Sequence, residues 1–230
     1  GRIVLSTSAR AEDVFRLVQE HRARDVVPGA GLGEEGVERV VLHADGLVAE
    51  IQPGESLLIM GAAGGVGVAA IELAKAAGAR VIAAVSSEDK AQFCRDLGAD
   101  ETINYKSCEE WGKRVLDMTD GRGVDCTVEV GGPGTLNRSI QATRVGGHIA
   151  LIGVLTGRAG EVQTAMLMGK NQRLQGLTVG SRQHQLDLVA AIEANGIKPQ
   201  ISDSFALENL ADAFRHQESG SHFGKIAVEI

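Results

Sequence analysis

The chain has 230 residues, 43% of them hydrophobic and 23% charged, with a formal net charge of −7. That balance fits one large globular domain with or without an extension, and an acidic chain with no basic cluster argues against a nucleic-acid partner. No apolar run approaches the length of a membrane span, and the first residues carry no secretory pattern, so a cytoplasmic protein with no membrane partner is expected.

Cys94, Cys108 and Cys126 are odd in number and lack metal-type spacing. They read as small buried or half-buried residues in a reducing compartment. The six histidines read as surface or loop residues.

In chain order, residues 3–5 suggest a strand. Residues 12–21 suggest an amphipathic helix using Val14, Leu17, Val18 and His21. Residues 26–36 are a glycine-rich loop, and residues 37–48 a strand with a turn at Asp45 and Gly46. Together residues 1–50 read as an extension, or as the remnant of another domain. The pattern then becomes regular. A short apolar strand over 56–60 precedes a helix over 66–77, with Val66, Ala69, Ala70, Leu73, Ala74 and Ala77 at helical spacing and Gly78 as its stop. A strand over 81–85, a helix over 88–97 stopped by Gly98, and a third strand over 102–105 follow. A helix over 109–118 leads to a strand over 124–130. A turn of Gly131, Gly132, Pro133 and Gly134 opens a helix over 136–143, and strands are predicted over 148–154 and 174–179. Helices over 183–194 and 207–217 and a strand over 224–230 close the chain.

Near-continuous apolar strands separated by helices predict a parallel sheet covered on both faces. Right-handed crossovers then favour an α/β fold with a doubly wound, Rossmann-type parallel sheet of about six strands. Residues 51–230 are expected to form this dinucleotide-binding domain behind a poorly defined N-terminal extension.

The run Ala62, Ala63, Gly64, Gly65, Val66, Gly67 sits directly between a strand and a helix. A pyrophosphate approaches the backbone closely there, so a side chain at Gly64 would block it. The helix N-terminus supplies free N–H groups and partial positive charge, and Gly67 lets the helix pack tightly on the strand. Ser86 stands after the second strand, where an acidic residue would bind a ribose 2′-hydroxyl. A small hydroxyl leaves room for a 2′-phosphate, with Lys90 as countercharge. Ser86 or Ser87 also suits a helix cap, with Glu88 and Asp89 favourable in the first turn. NADP is therefore the expected cofactor, and NAD the alternative if Glu88 turns toward a ribose.

These motifs, with residues 51–56, 97–100, 103–105, 121–125, 128–132 and 222–225, resemble the medium-chain dehydrogenase/reductase superfamily, and within it the zinc-independent quinone oxidoreductase-like branch. The resemblance runs from about residue 51 to the end. It implies that Gly64, Gly65, Val66 and Gly67 contact the pyrophosphate, and that Ser86, Lys90 and Tyr105 form the 2′-phosphate site. It also implies that Gly131, Ile152, Gly153 and Val154 lie near the ribose and nicotinamide, and that Phe223 to Lys225 close over the nicotinamide end. The family's barrel domain, which supplies much of its substrate pocket, is largely absent, and 39–48 resembles its closing segment. With no His-Glu pair in the sequence, no metal site is expected. The function expected is hydride transfer from NAD(P)H to a carbonyl or a carbonyl-conjugated alkene of a small-molecule substrate, of the quinone, enone or aldehyde class. The alternative is a cofactor-binding module without turnover. Catalytic residues are not readable. A homodimer through a sheet edge is the family-based expectation, with the strand at 225–230 as candidate.

Overall fold

The computed structural model describes residues 2–5, 40–42, 49–178 and 180–230. The helix expected over 12–21, the loop over 26–36 and the turn at Asp45 and Gly46 lie outside them. Backbone contacts group the chain into two units, Gly1–Glu38 with Ile201–Ile230, and Arg39–Gln200. Residues 201–230, expected within the cofactor domain, thus group by contacts with the first part of the chain.

Strand β1 (Arg2–Leu5) belongs to the smaller unit. The larger unit begins with a hairpin of β2 (Val40–Leu42) antiparallel to β3 (Ala49–Ile51). There follow β4 (Ser56–Met60), α1 (Gly65–Ala76), β5 (Arg80–Val85), α2 (Glu88–Asp96), β6 (Glu101–Asn104), α3 (Trp111–Met118) and β7 (Val124–Glu129). Then come α4 (Pro133–Ala142), β8 (Thr143–Leu151), α5 (Thr164–Gly169), β9 (Arg173–Gly176) and α6 (Arg182–Asn195). Strands β4 to β9 make one parallel sheet in the order β6-β5-β4-β7-β8-β9, the doubly wound arrangement expected. The chain runs outward from β4 in one direction and from β7 in the other, so the boundary between them is the topological switch point.

The apolar runs explain the sheet. Leu57, Leu58 and Ile59 of β4 are fully buried, as a strand covered on both faces requires. Leu58, Met60, Ile82, Ala84 and Ile103 pack with Trp111 and Val115 of α3 and Ala142 of α4. Alternation sends Leu57, Ile59, Val81 and Ala83 to the opposite face, while α1 packs on β4 and β5 and α2 on β5 and β6. Each such buried aliphatic side chain contributes about 1.5–3 kcal/mol.

Some boundaries differ from the expectation. Strand β8 begins at Thr143 rather than 148, because α4 runs straight into it. Helix α5 was not expected. None of its residues is fully buried, although Met166 and Leu167 pack against the cluster of Leu136, Ile140 and Ile149.

In the smaller unit, β10 (Ile201–Ala206) is followed by a 3-10 turn (Leu207–Asn209), α7 (Leu210–Ser219) and β11 (Lys225–Glu229). Here β11 is the middle strand of a sheet ordered β1-β11-β10, antiparallel to β1 and parallel to β10. Ala213, Ile226 and Val228 form its core with Phe205, Leu210 and Phe214. Strand β11 is therefore not an edge strand, which corrects its expected place at a sheet edge. No helix among the described residues is long and apolar enough to cross a membrane.

Candidate cofactor site

The turn after β4 is built by glycine. Gly61 takes φ +62°, a left-handed conformation that costs a side chain free energy. Gly64 is the N-cap of α1 in extended conformation, with no side-chain cap and no acidic residue in the first turn. The first-turn amides of Gly65, Val66 and Gly67 have no intrahelical acceptor, and the helix dipole adds partial positive charge. A Cβ on Gly64 would lie 3.3 Å from the Gly61 carbonyl oxygen. One on Gly67 would lie 2.4 Å from Cα of Ala62, so Gly67 sets how closely helix meets strand. An uncapped helix N-terminus beside close-packed glycines suits a pyrophosphate.

The adjoining strands carry the other expected residues. On one side the Ala62 amide donates to the Ala84 carbonyl at 3.1 Å, tying the turn to β5. Ser86 follows β5 and is half-buried. The cap of α2 is Ser87, whose hydroxyl accepts from the Lys90 amide at 3.3 Å, so Ser86 is not the capping residue. Glu88 is paired with Arg95. The Tyr105 amide donates to the Val85 carbonyl at 3.0 Å, which brings the residue after β6 beside Ser86, with the Tyr105 side chain packed against the core. Burial and the charge of Lys106 both lower the Lys90 pKa. Lys106 stands directly after Tyr105, and no sequence pattern singles it out.

On the other side, a Cβ on Gly61 would come within 3.0 Å of Val130 Cγ2, so the turn abuts the end of β7. The loops after β7 and β8 interlock. The Thr156 amide and hydroxyl both donate to the Gly131 carbonyl at 2.8 Å, and a Cβ on Gly153 would lie 2.2 Å from the Val130 carbonyl oxygen. Ile152 and Gly153 are half-buried and Val154 is exposed. Tyr105, Ser86 with Lys90, the glycine turn, Gly131 and Gly153 thus form a row across five adjacent strand ends, from β6 to β8. Four interstrand spacings amount to about 19 Å. Phe223 and Lys225 lie in the smaller unit, where the Phe223 amide donates to Ser202 Oγ at 3.3 Å.

The opposite ends of the strands hold an ion-pair cluster instead. Asp125 accepts from the Ser56 amide and hydroxyl, from both terminal nitrogens of Arg122, and from Arg144 Nε. Burial alone would raise its pKa, but Arg122, the Ser56 amide, Arg144 and the Ser56 hydroxyl outweigh it and hold the carboxyl far below the usual range. A cleft of about 240 Å³ lies there, lined by Asp125, Arg144, His148 and Arg173 among others. His148 is buried on a strand, which corrects its reading as a surface or loop residue, whereas His222 is buried within the loop before β11. His148 sits on β8, its Nδ1 accepting from Arg173 Nε at 2.9 Å, a bond that stabilises the imidazole inside. Cys94 and Cys126 are buried and Cys108 half-buried, and burial pushes the Cys94 thiol up to about 11 and Cys126 up to about 12. Among the described residues no group of three His, Cys, Asp or Glu side chains converges to hold a metal.

The family model described as zinc-binding dehydrogenase matches residues 65–194, which is more than half of the chain and spans this row from the glycine turn to beyond β9. The chain belongs to that family, within the medium-chain dehydrogenases/reductases. Among relatives of this dehydrogenase family, a zinc-type alcohol dehydrogenase-like protein of Schizosaccharomyces pombe is 36% identical over 185 residues, covering 79% of this chain and 53% of the relative. Among solved structures, an NAD-dependent alcohol dehydrogenase superposes with TM-score 0.73 at 36% identity, covering 78% of this chain and 52% of that one. A crotonyl-CoA carboxylase/reductase in complex with NADP gives 0.72 at 29%, covering 77% and 50%. The chain spans about half the length of the relatives it matches. Despite the family's name, the described residues do not fit a zinc ion.

Proposed function

We propose that this chain is the cofactor-binding part of an NADP(H)-dependent oxidoreductase that reduces a carbonyl or an alkene conjugated to one. The observation that carries the reading is the row of candidate residues across the carboxyl ends of β6 to β8, centred on the uncapped N-terminus of α1. A long, two-ended ligand with a central pyrophosphate suits such a row, at the switch point where α/β sheets bind nucleotides. Gly64, Gly65, Val66 and Gly67 would hold the pyrophosphate. Ser86, Lys90 and Tyr105 would take the 2′-phosphate, and Gly131 with Ile152, Gly153 and Val154 would line the ribose and nicotinamide. Bound there, the nicotinamide supplies the hydride. The pairing of Glu88 with Arg95 supports NADP over NAD, since it occupies the nearest rival ribose ligand. Relatives named crotonyl-CoA reductase and acryloyl-coenzyme A reductase support the conjugated-alkene class.

The test is titration with NADPH and NADH beside a turnover panel of quinones, enones, enoyl thioesters and aldehydes. Gly64→Val should abolish binding of both cofactors, because a branched side chain blocks the close approach of a pyrophosphate to the free amides. A folded Gly64→Val protein that binds either cofactor like the parent would refute the site. Binding by the parent with no turnover on any member of the panel would favour the non-catalytic module.

A further inference from the structure

We infer that Glu129 is a positioning residue for the nicotinamide end of the cofactor, holding the loops after β7 and β8 in the one arrangement that lines it. The inference rests on the cofactor site proposed above. Glu129 is the last residue of β7 and is completely buried. Its Oε1 accepts from the Gly131 amide at 2.7 Å, the Gly132 amide at 3.2 Å and the Thr135 hydroxyl at 2.7 Å. Its Oε2 accepts from the Ser139 hydroxyl. No cation among the described residues is paired with it.

A buried carboxyl group is costly unless its oxygens are satisfied. Here they are satisfied wholly by neutral donors gathered around the start of α4, whose dipole favours negative charge. The main chain of Glu129 holds the second loop. Its carbonyl accepts from the Ile152 amide at 2.8 Å and the Gly153 amide at 3.3 Å. One residue therefore grips both walls, the side chain taking Gly131 and Gly132 and the backbone taking Ile152 and Gly153.

The grip leaves no slack. A Cβ on Gly131 would lie 2.2 Å from Thr135 Oγ1 and 3.1 Å from Glu129 Oε1, and one on Gly132, at φ +85°, would lie 3.0 Å from Val154 Cα. The two loops therefore pack backbone to backbone, and the Glu129 side chain turns the Gly131 and Gly132 amides inward. Without that acceptor both amides would be orphaned, and the loop would turn them toward water or a ligand. Such a change would alter the wall at Gly131 and Gly153 and leave the β5 and β6 ends untouched.

That asymmetry supplies the test. Adenosine 2′,5′-bisphosphate probes the half of the row at Ser86, Lys90 and Tyr105, whereas NADPH probes the whole of it. Both are titrated against the full chain and its Glu129→Gln and Glu129→Ala variants, with folding checked by circular dichroism and melting. In Glu129→Gln, Oε1 keeps its three donors and only the Ser139 hydroxyl must reorient, so NADPH should weaken by about threefold. In Glu129→Ala it should weaken by about tenfold or more. The bisphosphate should stay within about twofold of the parent in both variants. The glutamine variant decides the question by itself where the alanine variant does not fold. NADPH affinity unchanged in the variants, or equal losses for both ligands, would overturn the positioning role and leave the cofactor site standing. A parent that binds neither ligand would sink the site, and this inference with it.

Discussion

Gly67→Ala tests how α1 is seated on β4. The added methyl carbon would lie 2.4 Å from Ala62 Cα, 2.5 Å from its carbonyl oxygen and 2.6 Å from its carbonyl carbon. Non-bonded carbons are comfortable at about 3.5–4.0 Å, so helix and turn must separate by more than about 1 Å. Neither side yields easily, since Ala62 is fully buried and bonded to β5, and Val68, Ala70 and Ile71 of α1 are buried. Overpacking of this kind costs about 1–3 kcal/mol, and contact with backbone on one side of a helix points to the upper end. Alanine in place of glycine returns about 1 kcal/mol of helix propensity. The net loss is about 2 kcal/mol, or about 4–8 °C in melting temperature for a chain of this size. NADPH affinity should fall as well, because the displaced helix carries the free amides with it. Gly169→Ala is the control: it lies at the end of α5, and nothing stands within 4 Å of its added carbon. Thermal melts and NADPH titrations of the three proteins give the answer. If Gly67→Ala melts together with the parent and the control, the close approach of helix and strand does not set the stability of this turn.

Two further outcomes are expected. Asp125→Asn leaves Arg122 and Arg144 facing a neutral group and should cost about 2–3 kcal/mol at neutral pH, less than a fully buried pair because both arginines reach solvent. Since the folded pKa is depressed, this contribution is complete above the unfolded value of about 3.9 and drains away as pH falls toward the folded one. The difference from the parent should therefore shrink by about 1 kcal/mol between pH 6 and pH 3, and a difference that stays constant in urea melts at both pH values would contradict the ion-pair account. Lys90→Ala should weaken NADPH by about tenfold and leave NADH within twofold, and Ser86→Asp should reverse the preference; equal loss of both cofactors in Lys90→Ala would assign that lysine to the fold alone.

Much of the larger unit was legible because its strands are buried on both sides and its helices are punctuated by Gly78 and Gly98. Where burial is slight, the sequence says little. Strand β10 has Ser202, Asp203 and Ser204 in its middle and no fully buried residue, so it carries no apolar run, and α5 lacks a buried stripe. In the site, the glycine turn was readable from its place between strand and helix. Glu129 was not, because its four partners come from a turn and helix whose approach depends on the fold. His148 was misread for a related reason: its partner Arg173 lies on the next strand, 25 residues away. That β11 has two neighbours follows from pairing across nearly the whole chain, which no local pattern encodes.

That last pairing has a consequence for how the protein is made. Arg2 stands opposite Glu229 and Leu5 opposite Ile226, so β1 lacks this partner until residues 226–229 have been synthesised. The parallel sheet depends only on segments between β4 and β9 and can condense while the tail is still being synthesised. Closing so long a loop costs only slightly more entropy than closing a shorter one, yet it slows the search. Until β11 arrives, the backbone groups of Arg2–Leu5 and Ile201–Ala206 lack the strand they share. A nascent chain stalled just short of residue 225 would thus expose two strand edges that β11 later covers, and unpaired edges of this kind are templates for unwanted pairing.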